Sequence, residues 1–345
     1  WLVQYLSAKL GVVTGKSLPE VLGQRIRSRW VRRGYWVQAE VVAMATDVAE
    51  IIGGAIALWL LFGIPLVWGG VLTGLVSLAM LSVRGARRFE ILITVLIAVI
   101  VVGFTAGLWV SPPSLEGALS GLVPRFAGID SVVLATSILG ATIMPHAIYA
   151  HAGLSRDRHH TGEIPTESRL RLLLRAQRLD VTIAMLIAGA VNLGLLLLAA
   201  SALHGVGATD SLTGATAALA TQFGPIIATL FAVGLLASGL ASTAVGAYAG
   251  SEIMHGLITR RVPLVIRRVV TLVPALLILA SGFDPTQALV LSQVVLSFGI
   301  PFALIPLVAL TSNPAVLGAW QNRRLTTVLG WGAAILISAV NVALL

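Results

Sequence analysis

Gly140-Ala-Thr-Ile-Met-Pro-His-Ala-Ile-Tyr-Ala-His151 sits inside an apolar run, 131–154, that is long enough to span a bilayer. Its centre nevertheless holds a methionine, a proline and a histidine, with a second histidine at its end. Pro145 has no N–H to donate and its ring clashes with the preceding turn, so a helix here breaks or kinks. The break frees carbonyls, those of Ala141 and Thr142 among them, at mid-membrane depth. Such backbone persists in a membrane only where it lines a cavity or is buried in protein. The stretch therefore reads as a binding site built into a discontinuous helix. The plainer alternative is a proline kink whose histidines are satisfied within the bundle.

The chain around it has 345 residues, 57% hydrophobic and 11% charged, with mean hydropathy +0.95. Soluble domains carry about 25% charged residues, so this reads as an all-α polytopic membrane protein. The absence of cysteine excludes a disulfide framework and any thiolate metal site. A net charge of +9 could suit nucleic acid, but the arginines fall in short loops between apolar spans, where membrane topology explains them better. The first apolar segment, 1–14, is too short to span and no methionine precedes it. The expectation is a fragment, with one helix missing ahead of Trp1 and the N-terminus before it cytoplasmic.

Full spans are expected at 36–62, 65–83 and 89–110, then the broken span, then 179–203, 222–258, 262–280, 285–310 and 326–345. Loops fill 111–130 and the polar stretch 155–178. Of the 23 Lys and Arg residues, all but Arg125 fall in the alternate loops 9–33, 84–88, 156–178, 260–268 and 323–324. That asymmetry places this set in the cytoplasm and Leu345 outside. Trp59 and Trp68 flank the uncharged turn at Gly63, as expected at an outer interface. The small-residue run from Gly234 to Gly246 suits close helix packing without chemistry.

The span at 36–62 carries Glu40, Asp47 and Glu50. Spacings of seven and three put all three on one helical face, with Ala43 and Gly54 along the same stripe. Carboxylates one turn apart inside a membrane are costly and imply a function. Such a pair can share or relay a proton, because like charges raise one pKa; the alternative is structural pairing to an arginine. Arg267 and Arg268 lie one or two turns into their span. They either snorkel to the interface or counter the acidic stripe.

His146 follows the break and could titrate near neutral pH, whereas His151 is a weaker candidate and His159 and His160 read as loop residues. Met144 tends towards extended backbone, with its thioether free to face a cavity. As a ligand it is soft and favours transition metals over Ca²⁺ and Mg²⁺; as an ordinary methionine it fills core. Gln293 is a buried amide that could complete a polar shell or pair across helices. Asp284 reads as a helix N-cap, and Glu252 has no evident partner. No HExxH spacing supports a zinc protease.

Met144-Pro145-His146, the segment from Gln4 to Gly15 and the segment from Gln38 to Glu50 together resemble the Nramp family, proton-coupled transporters of divalent transition metals, of the bacterial manganese transporter type. The resemblance covers essentially the whole chain. It implies the fold of the leucine transporter, two inverted five-helix repeats followed by an eleventh helix. Residues 1–110 would be helices 2–5 of the first repeat, 131–310 helices 6–10 of the second, and 326–345 helix 11, all in one transmembrane domain spanning 1–345. It implies a bacterial inner membrane, Mn²⁺ or Fe²⁺ as transported substrate, protons and lipid as the other partners, and no resident cofactor. The metal half-site would be the Met144 sulfur and the Ala141 carbonyl, with Gln293 joining in some states. The proton route would run over His146, Asp47 and Glu50, towards Arg267 and Arg268, with Glu40 nearer the inner end. The family's first helix, with an Asp-Pro-Gly-Asn motif supplying the other ligands, is not in this sequence.

Three rival readings stand beside this one. An amino-acid carrier of the same fold would need helix ends facing a carboxylate and no soft ligand, which Met144 opposes. An intramembrane metalloenzyme would need several His or Asp ligands around an open position, and one break with one adjacent histidine offers too few. A sensor would bind metal without flux.

Overall fold

The computed structural model describes residues 1–81, 128–159, 166–203, 211–258 and 264–344, with isolated positions at 91, 94–99, 101–102 and 121. The expected span at 89–110 lies mostly outside the described residues, as do the basic residues at 84–88 and 260–261. Helix α1 is Leu2–Thr14, ended by Gly15 in the left-handed region at φ 65°, its N–H returning to the Gly11 carbonyl. Helix α2 is Leu18–Arg25. Its first turn is closed by the Glu20 carboxylate accepting the Ser17 N–H at 2.6 Å, half of a capping box.

Helix α3 is Arg29–Phe62. It begins seven residues before the expected span, because Ser28 caps it and Arg29, Arg32 and Arg33 continue the helix instead of lying in a loop. Lys9, also expected in that loop, is buried within α1 and donates to Asn322 at 2.9 Å. Gly63, at φ 68°, stops α3, and α4 is Leu66–Leu81. The broken span is two helices, α5 Ile129–Thr142 and α6 Pro145–His159.

Helix α7 is Glu167–Ala202. The polar stretch at 155–178 is thus mostly helix, a loop by composition that proves to be the ends of α6 and α7. The expected span at 222–258 is the single helix α9, Pro225–Ile258, preceded by α8, Leu212–Phe223, from which Gly224 at φ 89° separates it. Helix α10 is Leu264–Ala280. Helix α11 is Pro285–Thr311, capped by Asp284 accepting the Gln287 N–H at 2.7 Å, as expected. A short α12, Pro314–Leu317, precedes α13, Arg324–Ala343.

Helix α9 packs along α3, α11 lies against both α5 and α3, and α1 lies along α6. One core gathers Leu6, Leu10, Ile148, Ile253, Ile300 and Leu304; a second gathers Ile51, Ile52, Ile56 and Leu279. Glycines permit the close helix contacts, two of them beside α6 and the break. A Cβ on Gly11 would sit 2.1 Å from the Ala152 carbonyl oxygen, and one on Gly140 would sit 1.9 Å from that of Gln293. Outward faces are apolar, with Leu186, Leu277, Val328 and Leu336 all exposed. Among the described residues six helices are long and apolar enough to cross a membrane, and such a surface is stable only against lipid or another apolar partner.

Candidate metal and proton site

The break falls at Ile143 and Met144, where Ile143 leaves helical geometry at φ −112°, ψ 78°. The i+4 donor that the Ala141 carbonyl needs would come from residue 145, and proline has none. Ala141 and Thr142 are exposed, and Met144 is half-buried between the helix ends. Gly140 brings α5 against the backbone of Gln293 on α11, so the expected amide lies next to the break. Its side-chain nitrogen reaches Ser292 Oγ at 3.3 Å, while its buried oxygen has no hydrogen-bond partner among the described residues. A thioether, backbone carbonyls and an unengaged amide oxygen suit a borderline-soft cation better than a hard one. No group of three or more His, Asp or Glu able to hold a metal occurs among the described residues.

Pro145 opens α6 against α11, where Gly299 leaves room: a Cβ there would sit 3.2 Å from Pro145 Cγ and 2.5 Å from a Val42 methyl. This convergence draws α3 to the break. His146 is 2% exposed, and its Nδ1 lies 3.2 Å from the hydroxyl of Thr46. Asp47, the next residue, is buried, and so is Glu50 one turn on. A Cβ on Gly246 of α9 would lie 3.9 Å from Asp47 Oδ1 and 3.7 Å from Glu50 Oε1, so both carboxylates converge on one small residue. Ser242 donates to Glu50 Oε1.

Glu40 is half-buried, further along the same helix. Arg267 and Arg268 belong to α10, which packs on α3 and α4, but their side chains lie outside the described ones. His151 bridges α1 and α7: its Nδ1 lies 2.7 Å from Gln4 Oε1 and its Nε2 3.4 Å from Gln177 Nε2.

Sequence reasoning missed two partnerships. The run from Gly234 to Gly246, read as packing without chemistry, supplies through Ser242 a hydrogen bond to a buried acid. Glu252, which had no evident partner, forms a two-point pair with Arg156, Nη1 to Oε2 and Nη2 to Oε1, each 3.1 Å. Arg156 also meets Glu20 at 2.6 Å and Asp157 at 2.7 Å, tying α2, α6 and α9 together. Burial alone would raise the Glu20 pKa, but the Ser17 N–H and the Arg156 guanidinium outweigh it and hold it below the ordinary carboxylate range. No spacing rule links residues this far apart in the chain.

Membrane-length helices, one of them interrupted beside a pair of buried carboxylates, define a multi-pass membrane protein with the design of an ion-coupled transporter. The chain belongs to the Nramp family, described as Natural resistance-associated macrophage protein-like, which it matches over residues 1–345. It is 58% identical to the divalent metal cation transporter MntH of Mycobacterium tuberculosis, over all of this chain and 80% of that protein. It is 45% identical to the divalent metal cation transporter MntH of Bacillus subtilis, over all of this chain and 81% of that protein. The crystal structure of the Eremococcus coleocola manganese transporter, bound to an aromatic bis-isothiourea compound, superposes with a TM-score of 0.85 at 33% identity. The match covers 99% of this chain and 76% of that one.

Proposed function

We propose that this chain moves divalent transition-metal cations, Mn²⁺ and Fe²⁺, across the membrane with protons, by alternating access. Membership of the family and the named activity of its relatives support the transport of divalent cations. The observation that carries the rest is the break at Ile143–Met144, which follows the Gly140 contact with the Gln293 backbone on one side and leads through His146 to the acidic face of α3 on the other.

In this reading the cargo ion loses water to the Met144 sulfur, the Ala141 carbonyl and the Gln293 amide oxygen. The thioether is the selective element, because Ca²⁺ and Mg²⁺ prefer all-oxygen shells. A proton passes between His146, Asp47 and Glu50 and leaves past Glu40, with Arg267 and Arg268 opposing the stripe from α10. Residues 1–110 and 131–310 act as the two repeat halves that move about the site, and the rise of one half against the other opens it to alternate sides. The basic loops face the cytoplasm of a bacterium, in its inner membrane. No resident cofactor or catalytic step is needed.

Uptake by the full-length protein in sealed vesicles tests the reading. Met144→Ala is expected to admit Ca²⁺ or Mg²⁺ at the expense of Mn²⁺. A variant that kept wild-type selectivity would remove the soft-ligand argument.

A further inference from the structure

We propose that the groove between the start of α3 and the end of α9 is a binding site for the phosphate headgroup of an anionic phospholipid. The groove has a volume of about 670 Å³ and is lined by Arg29, Arg32, Arg33, Trp36 and Val37 of α3 and by Met254, Leu257 and Ile258 of α9. Its lining matches the two parts of a lipid, a cationic rim for the phosphate and an apolar bed for the first methylenes.

Charge complementarity commits the site to an anion. Among the described residues no carboxylate lies within ion-pair distance of Arg29, Arg32 or Arg33. Arg171, one of the exposed arginines of α7, has Glu167 at 3.3 Å. The three arginines also occupy the first two turns of α3, and no acidic residue stands in its first turn. A helix N-terminus carries partial positive charge, so cations there repel it and an anion relieves both. Arg32 Nη1 donates to the Gly23 carbonyl at 3.3 Å, which holds this guanidinium at the rim. The Arg33 guanidinium lies 5.4 Å from the centre of the Trp30 ring.

The surroundings commit the anion to a lipid. Trp30 is 78% exposed, and Val31 and Val37 are also exposed. A tryptophan beside arginines at the end of a membrane-length helix is the composition of a bilayer interface. Basic pockets between transmembrane helices hold anionic headgroups for this reason. A free phosphate would satisfy the arginines and leave the apolar wall and the exposed side chains uncovered. A cargo cation would be repelled by the same three charges, so the groove is distinct from the site at the break.

The test is native mass spectrometry of the full-length protein in mild detergent, with phosphatidylglycerol, phosphatidylcholine of the same chains, and inorganic phosphate as separate arms. Phosphatidylglycerol is expected to be retained preferentially. Arg33→Gln, at an exposed position, should weaken that retention roughly fivefold, and Arg29→Gln/Arg32→Gln/Arg33→Gln on the order of a hundredfold. Arg171→Gln on α7 should change it by less than about twofold, because an exposed arginine with a carboxylate neighbour offers little to a phosphate. Equal retention of the two lipids, displacement of phosphatidylglycerol by millimolar-range inorganic phosphate, or wild-type retention by both Arg33→Gln and the triple variant would each overturn the proposal.

Discussion

The hydroxyl of Thr46 lies 3.2 Å from Nδ1 of His146, joining the residue after Pro145 to the residue before Asp47. One hydrogen bond thereby links the helix break to the acidic face of α3. The link fixes how the imidazole is held. Thr46→Val removes it at nearly constant volume, at a cost of about 1 kcal/mol, and Thr46→Ser restores it. The pH profile of metal uptake in vesicles is expected to shift in Thr46→Val and return in Thr46→Ser. Superimposable profiles for all three proteins would show that Thr46 plays no part in proton coupling.

Asp47 and Glu50 both face Gly246, which brings two acids into one small volume. Asp47→Asn keeps the shape and removes one titrating group. Metal-driven proton flux, read by a pH dye inside the vesicles, is expected to fall several-fold while metal binding persists. Unchanged proton flux in Asp47→Asn counts against the relay.

Gly140 is where α5 touches the backbone of α11, and an added Cβ would lie 1.9 Å from the Gln293 carbonyl oxygen. Backbone must move to admit it, so Gly140→Ala is expected to cost about 1–3 kcal/mol and to lose uptake by parting the break from Gln293. Gly332 in α13 has nothing within 4 Å of its Cβ position, and alanine there should be neutral or stabilising by up to about 1 kcal/mol. Thermal unfolding in detergent and uptake, measured on both variants, separate these outcomes. Equal behaviour of the two would mean that the α5–α11 approach is looser than described.

Arg156 holds Glu20, Asp157 and Glu252 and keeps only 17% of its side chain exposed. Arg156→Gln leaves those acids without their counter-charge and is expected to destabilise by about 3–5 kcal/mol. Arg171→Gln breaks a pair whose side chains are 61% and 75% exposed and should cost less than about 0.5 kcal/mol. The Glu20 pKa is lowered in the folded protein, so its stabilisation is present above its unfolded value of about 4.5. That stabilisation is lost as pH falls through the lower folded value. The melting-temperature gap between wild type and Glu20→Gln should therefore be widest near pH 7 and close as the medium is acidified. A gap that grew on acidification would contradict the sign.

Much of the fold was legible because membranes impose it locally. Each spanning helix needs its own apolar length, and the break needs only a proline, so both are written in contiguous residues. The departures came where composition misleads. Arginines at positions 29, 32 and 33 read as loop, yet arginine is a good helix former and Ser28 supplies a cap. The span at 222–258 is one helix as read, but it starts three residues later, because Gly224 adopts a positive φ that ends α8 before Pro225 opens α9. At the site, Asp47 and Glu50 were legible from helical spacing and Met144 from its proline. Ser242 and Thr46 were not, because nothing in a run of small residues or a lone threonine marks which will meet a buried acid or imidazole.

The sequence by itself determined that this is a helical membrane protein interrupted at Pro145, with a stripe of carboxylates on one long helix. These follow from covalent chemistry and from periodicity within single segments. Only the tertiary structure decided that His146 meets Thr46 across 100 residues, that Glu50 receives Ser242 across 192, and that Arg156 binds Glu20 across 136. Such contacts depend on how closely helices approach. That approach is set at positions such as Gly140, Gly246 and Gly299, where the absence of a side chain lets one backbone or carboxylate reach another.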